Sequence, residues 1–260
     1  VVWTLHDCWS FTGHCAHFEY AQCDKWKTQC HHCPQKDQYP ISLMADNSYN
    51  NYNSKKEIFT GVDNLMLVTP SVWLKDKVKE SFLKEYPIRV INNGIDLEVF
   101  KTDGNNLVEE SMLDEKFVIL GVASPWTSRK GLEYFHQLAQ FLDVDDVIIL
   151  IGLSKKQIQN LPKGIIGIEA THDIEELANY YRRADVFMNP TLEDTFPTTN
   201  LEALACGTPV ITFNSGGSGE AINENNGIVL KDKSIEALLD AKNQVKKLGK
   251  EFYRNRCRSE

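Results

Sequence analysis

From residue 117 onward, short apolar runs alternate with helical patterns, and that alternation confines the chain to an α/β fold. Runs near 117–122, 147–152, 165–168, 185–189 and 209–213 read as buried strands, and helices are expected near 131–142, 173–183 and 197–206. Strands separated by helices run in one direction, giving a parallel sheet covered on both faces. Ligands of such sheets bind beyond the carboxyl ends of the strands, where loops 123–130, 190–197 and 214–219 would converge. Asn226-Gly227 reads as a turn into a short strand, Ile228 to Leu230. Ahead of this region, residues 1–5, 65–69 and 88–91 read as shorter strands, with a helix over 71–85 between the last two. The pattern predicts two Rossmann-like units.

Composition narrows the function classes. A chain of 260 residues that is 42% hydrophobic can bury one large core or two modest ones. Its net charge of −8 argues against nucleic acid as a partner, since a basic surface is needed to neutralise phosphates. No apolar run approaches the roughly 18 residues of a membrane span, and no charged-then-apolar leader precedes the first strand. The chain therefore reads as cytoplasmic. Lys75, Lys77, Lys79 and Lys84 on helix 71–85 could lie against anionic lipid, a peripheral contact at the inner face of the membrane. Asp76, Glu80 and Glu85 interrupt that charge, as on a solvated face.

Residues 190–212, PTLEDTFPTTNLEALACGTPVIT, carry the densest chemistry. Pro197 suits the first turn of a helix, Leu201, Leu204 and Ala205 give it an apolar face, and Gly207 closes it. Backbone N–H groups around Thr198 and Thr199 lack intrahelical partners, so this end favours an anion such as a diphosphate. Asp194 precedes the helix, and Glu202 lies about 7.5 Å beyond Pro197 at the standard rise. Carboxylates so placed can accept from vicinal hydroxyls of a ribose or a sugar ring. Alternatively they only complement the helix dipole.

A second basic site follows the strand at 117–122. In FVILGVASPWTSRKGLEYFH, Arg129 and Lys130 open a helix whose dipole they oppose, which an anion at that point would offset.

Taken in order, these segments resemble glycosyltransferase family 4, the retaining enzymes of GT-B fold. The resemblance rests on an acidic pair, Asp194 and Glu202, ahead of an EALACGTPV segment; on Lys130 directly before Gly131; on NSGGSGEAI at 214–222; and on RVINNGIDLEVF at 89–100. It implies that Glu202 binds ribose hydroxyls and that Asp194, or its neighbour Glu193 in place of the family's Glu, contacts the donor sugar. It further implies that Lys130 and Arg129 meet the donor pyrophosphate. Gly216 and Gly217 would bring backbone amides to the donor and Glu220 would close the site, while His6 would touch the donor sugar. Residues 1–100 would form the acceptor domain, missing its front because the chain opens on a strand, and 101–260 the nucleotide-sugar domain, with the crossover at Asn92, Asn93, Gly94 and Asp96. The implied activity is transfer of a hexose from a UDP or GDP sugar to a glycan or lipid-linked glycan, with no metal needed. A non-catalytic nucleotide-sugar-binding fragment and another nucleotide-sugar enzyme of this fold, such as an epimerase, remain alternatives. The terminal KEFYRNRCRSE shows no obvious closing helix.

Residues 6–34, HDCWSFTGHCAHFEYAQCDKWKTQCHHCP, hold five of the seven cysteines. Cys15, Cys23, Cys30 and Cys33 can bind a structural zinc tetrahedrally, with His14, His17, His31 or His32 as alternative ligands. The spacing equally allows reduced or disulfide-linked thiols, because a second CxxC is missing. The HDxWxxTG…CxxCP pattern of this segment, with its Cys-rich loop 8–34, resembles family members from bacterial surface-polysaccharide pathways.

Overall fold

The computed structural model describes residues 1–42, 44–104, 113 and 115–257. The chain divides into two compact units. The first comprises Val1–Asn93 with two short returns, Glu193–Phe196 and Ser215–Glu220; the second holds the remainder.

In the first unit, strands β1 (Val2–Thr4), β2 (Met66–Thr69) and β3 (Ile88–Val90) form a parallel sheet in that order, with helices α1 (Ser48–Thr60) and α2 (Val72–Lys79). Trp3 lies opposite Leu67, and Val68 opposite Arg89. So short a sheet offers little apolar surface, and much of this core comes from the loop that follows β1. Phe18 stacks on Trp26 at 4.5 Å between ring centroids, and Phe11 meets Trp26 edge-on at 5.4 Å. All three rings are buried beside Cys8, Cys15 and Cys30. Lys55 of α1 reaches the same interior, donating to the carbonyls of Trp9 (2.6 Å) and Thr12 (3.0 Å).

The helix expected over 71–85 stops at Lys79. Ser81 explains the stop: its buried hydroxyl donates to Val78 O and accepts from Leu83 N–H, giving the backbone an alternative to the helical ladder. Lys77 and Lys84 lie within salt-bridge range of Glu80 and Glu85, as on a solvated face.

The second unit is a six-stranded parallel sheet of order β6-β5-β4-β7-β8-β9. Its strands are β4 (Phe117–Val122), β5 (Asp146–Ile151), β6 (Ile165–Ile168), β7 (Val186–Asn189), β8 (Val210–Phe213) and β9 (Gly227–Leu230). Helices α3 (Leu132–Leu138), α4 (Lys155–Gln159), α5 (Ile174–Arg183), α6 (Thr198–Ala205), α7 (Ile235–Leu248) and α8 (Lys250–Arg254) connect and flank them. All residues of β7 and β8 are buried, as strands covered on both faces must be. Burying each such Val, Ile or Phe contributes about 1.5–3 kcal/mol. Local signals agree with this packing. Asp173 caps α5 by accepting from Glu176 N–H, acids fill its first turn, and Arg182 and Arg183 fill its last.

In this unit three further expectations change. The helix expected over 131–142 is α3 followed by a 3-10 turn, Ala139–Phe141. Pro197 stands at the cap of α6 in an extended conformation rather than in its first turn. The terminal segment does contain a helix, α8, with Tyr253 buried and Lys250 Nζ bonded to the carbonyl oxygens of Arg182 and Ala184.

Candidate functional site

In the second unit, strand order reverses at β4: the chain runs outward through β5 and β6, then returns to β7 on the other side. A crevice at the carboxyl ends of the central strands follows from that reversal. The segments after β4 and β7 meet there. Arg129 and Lys130 lie in a 3-10 turn, Ser128–Lys130, and Leu192 N–H donates to Arg129 O at 2.8 Å. Gly131 ends the turn at φ +80°, and a Cβ there would stand 2.2 Å from Pro190 O. Glycine is required on both counts. Both basic side chains are half-buried.

α6 begins just beyond, at Thr198, with no side-chain cap at Pro197. Its first-turn N–H groups and dipole favour an anion. The helix is seated from below by a buried amide pair, Asn189 Nδ2 donating to Asn200 Oδ1 at 2.8 Å.

Glu202 sits one turn along α6. Burial raises its pKa, while hydrogen bonds from Tyr181 and Thr198 pull it back down. The Tyr181 hydroxyl donates to Glu202 Oε2 at 2.9 Å. Tyr181 itself is fully buried between Phe100 and Phe187. Tyr181 carries no functional signal in the sequence, because a tyrosine on the apolar face of α5 looks like core. The hydroxyl that orients Glu202 has no signature in spacing.

The remaining candidates belong to the first unit. Glu193 is 3% exposed and its Oε2 accepts from Tyr20 N–H at 2.9 Å. Asp194 is half-buried, with Oδ1 facing Phe196 N–H at 3.3 Å. Gly216 and Gly217 pack directly on this acidic segment. Gly217 N–H donates to Asp194 O at 2.9 Å, and Gly216, at φ +59°, leaves no room for a Cβ, which would stand 1.9 Å from that oxygen. Thr195 Oγ1 donates to His6 O at 2.8 Å, so His6 is tied here through its backbone while its side chain is exposed. Glu220 is engaged elsewhere. Its two carboxylate oxygens accept from Val72 and Trp73 N–H at 2.7 Å each, complementing the positive end of α2.

Cys15, Cys23, Cys30 and Cys33 surround one small cavity in the same unit. Among the described residues, no three of these sulfurs lie all within 4.8 Å of one another. Cys33 is pulled down to about 6 by a hydrogen bond from Cys15, whose own thiol is driven up by the same bond and by burial. Cys206 and Cys257 are separate buried thiols facing Ala178 O and Asn226 O.

A parallel sheet whose strand order reverses at its centre is a doubly wound α/β arrangement, and the fold class is GT-B. A structure of Anabaena Alr3699/HepE in complex with UDP and glucose has a TM-score of 0.68, at 15% identity over 99% of this chain and 65% of that one. Sucrose-phosphate synthase from Thermosynechococcus elongatus has a TM-score of 0.67, at 23% identity over 86% of this chain and 59% of that one. Residues 116–246 match the family described as glycosyl transferases group 1, and the chain belongs to that family. The chain is 26% identical over 243 residues to the putative colanic acid biosynthesis glycosyl transferase WcaC of Escherichia coli K12, covering 92% of this chain and 58% of that protein. It is 28% identical over 183 residues to the UDP-Gal:alpha-D-GlcNAc-diphosphoundecaprenol alpha-1,3-galactosyltransferase of Escherichia coli, covering 63% of this chain and 46% of that one. The chain thus spans about half the length of these curated relatives.

Proposed function

We propose that this chain carries the nucleotide-sugar site of a retaining glycosyltransferase, which moves a hexose from a nucleoside diphosphate sugar to a glycan or lipid-linked glycan in surface-polysaccharide assembly. One observation carries the reading: the basic turn at 129–130 and the uncapped start of α6 follow neighbouring strands at the point where the sheet reverses. In this reading the second unit is the donor domain, beginning at Gly94 rather than at residue 101, and the first unit, with its returns 193–196 and 215–220, is the acceptor side. The names of the relatives favour a uridine donor and a diphospho-lipid acceptor.

Each residue then has a task. Charge builds on the departing diphosphate as the glycosidic bond breaks, and the amides of Thr198 and Thr199 with Lys130 and Arg129 stabilise it in place. Glu202, fixed by the Tyr181 hydroxyl, accepts from the ribose hydroxyls. Asp194 suits the donor sugar better than Glu193, because Glu193 is buried and bound to Tyr20 N–H. Gly216 and Gly217 hold the Asp194 segment from behind, His6 borders it, and Glu220 acts on α2 rather than on the donor.

Thermal shifts of the full chain against UDP, GDP, ADP and their hexose conjugates test the reading. A shift with one base that Glu202→Gln abolishes is the expected result. No shift with any nucleotide would remove the donor site.

A further inference from the structure

Among its described residues, the loop between β1 and α1 contains two short 3-10 turns, Trp9–Phe11 and Lys25–Lys27, and no longer element, yet it buries three aromatic rings and three cysteines. Segments this poor in backbone ladder need another source of order. We propose that Cys15, Cys23, Cys30 and Cys33 bind one zinc ion, which staples three stretches of this loop together.

The cavity they line has room of about 10 Å³, enough for a single water-sized particle. A backbone amide already addresses one of the sulfurs: Gly13 N–H donates to Cys30 Sγ at 3.2 Å. Such outer bonds stabilise thiolates that carry metal charge. Gly13 has no room for a side chain, since a Cβ would stand 2.7 Å from Cys30 Cβ and 2.1 Å from Ser48 O. His14 also lines the cavity, 9% exposed, and its Nε2 is buried with no hydrogen-bond partner. An orphan of that kind needs an explanation, and a cation nearby supplies one.

A tetrahedron with Zn–S bonds of about 2.3 Å has sulfurs roughly 3.8 Å apart. Since no three of these sulfurs are mutually within 4.8 Å, loading draws them inward, and each thiol releases its proton as it binds. The second unit offers a contrast in Asp143, Asp145 and Asp146, whose carboxylates also cluster. Lys242 and Lys246 already meet those charges at 2.7 and 3.0 Å, so that cluster is an ion-pair network. At the thiols, Lys25, which lines the same cavity, donates to the carbonyl groups of His31 and His32, and Lys55 donates to those of Trp9 and Thr12.

The loop so stapled supplies Tyr20 N–H to Glu193, so an ion here steadies the acidic segment without touching it. The site itself does not depend on the transferase reading.

Zinc per chain, measured by inductively coupled plasma mass spectrometry on full-length protein purified without chelator, should be one to one. Cobalt exchange should give the intense visible bands of a tetrahedral thiolate site. Cys23→Ser and Cys33→Ser should lose the metal or bind it at least about tenfold more weakly, and Cys257→Ser should keep it. Wild-type protein that is folded by circular dichroism yet metal-free, and that takes up cobalt without thiolate bands, overturns the proposal. So does a disulfide among these four cysteines in unreduced peptide maps. If the serine variants fail to fold, the wild-type stoichiometry and cobalt spectrum still decide.

Discussion

The two units reach a buried core by opposite routes. The second takes its core from periodic elements, with Ile119 of β4 lying opposite both Ile148 and Val186 in adjacent strands, and aromatic residues such as Phe135 and Phe187 packing against them. The first has strands of three or four residues and takes much of its core from rings and thiols in an irregular loop. Regular hydrogen-bond ladders spread stability over many residues, whereas a loop core concentrates it in a few side chains. Single substitutions should therefore be felt more locally, and more severely for their number, in the first unit.

Trp26→Ala is the hardest blow available to that contrast. Trp26 is 1% exposed between Phe11 and Phe18, and removing such a ring costs about 3–5 kcal/mol. Hydrogen exchange followed by mass spectrometry should show faster exchange in β1, β2 and β3 while β4, β5, β7 and β8 keep their protection. Equal acceleration throughout would show that the cores are not energetically distinct.

Glu202→Gln probes the second unit at its site. Loss of a charged acceptor should weaken nucleotide-sugar binding by about 1.5–3 kcal/mol, read by titration calorimetry. Stability should move the other way. Burial raises the pKa of Glu202 above its unfolded value, so its contribution is fully present below the unfolded pKa and is lost as pH rises through the folded one. At neutral pH the glutamine variant should thus melt no lower than wild type, and the difference should shrink in acid. A variant that melts well below wild type at pH 7 would place the value of Glu202 in the fold instead.

Gly131→Ala and Gly216→Ala make the same test once in each unit. Both glycines have positive φ, and both press on a carbonyl that a methyl group would strike. Each change should cost about 1–3 kcal/mol in stability from backbone strain and should weaken donor binding as well. Gly94→Ala, with nothing within 4 Å of the new methyl, is the neutral control. Donor affinity unchanged in both tight variants would separate these turns from the site.

The same contrast explains what can be read from the sequence. β4 and β6 fall at their expected residues, because apolar runs bounded by turn residues leave few alternatives. α1 has no such signal. Its sequence, SYNNYNSKKEIFT, is rich in poor helix formers, and its buried positions are Ser48, Tyr52 and Lys55 rather than an apolar stripe. The basic turn, the start of α6 and Glu202 are legible because they lie close to strand ends. The partners that fix them come from distant sequence: Tyr181 for Glu202, and Tyr20 N–H for Glu193. A backbone donor leaves no trace in residue identity at all.

The smallest effect compares the two units through one buried lysine in each. Burial lowers both Lys55 and Lys250 to about 8, and both ammonium groups are bonded to backbone carbonyls. In the unfolded chain a lysine holds its proton to about pH 10.4. Between pH 8 and that value the unfolded state binds more protons, so stability should rise with pH, by at most about 1.4 kcal/mol per pH unit for each lysine. Lys55→Met should flatten the rise in the first unit and Lys250→Met in the second, although each also orphans carbonyls and lowers stability overall. Urea midpoints taken across that window, with exchange protection assigned to β1–β3 or β4–β8, separate slope from offset. If either variant removed the slope in both sets of strands, the two units would titrate as one cooperative body, and the contrast between a loop-built and a ladder-built core would hold for structure but not for stability.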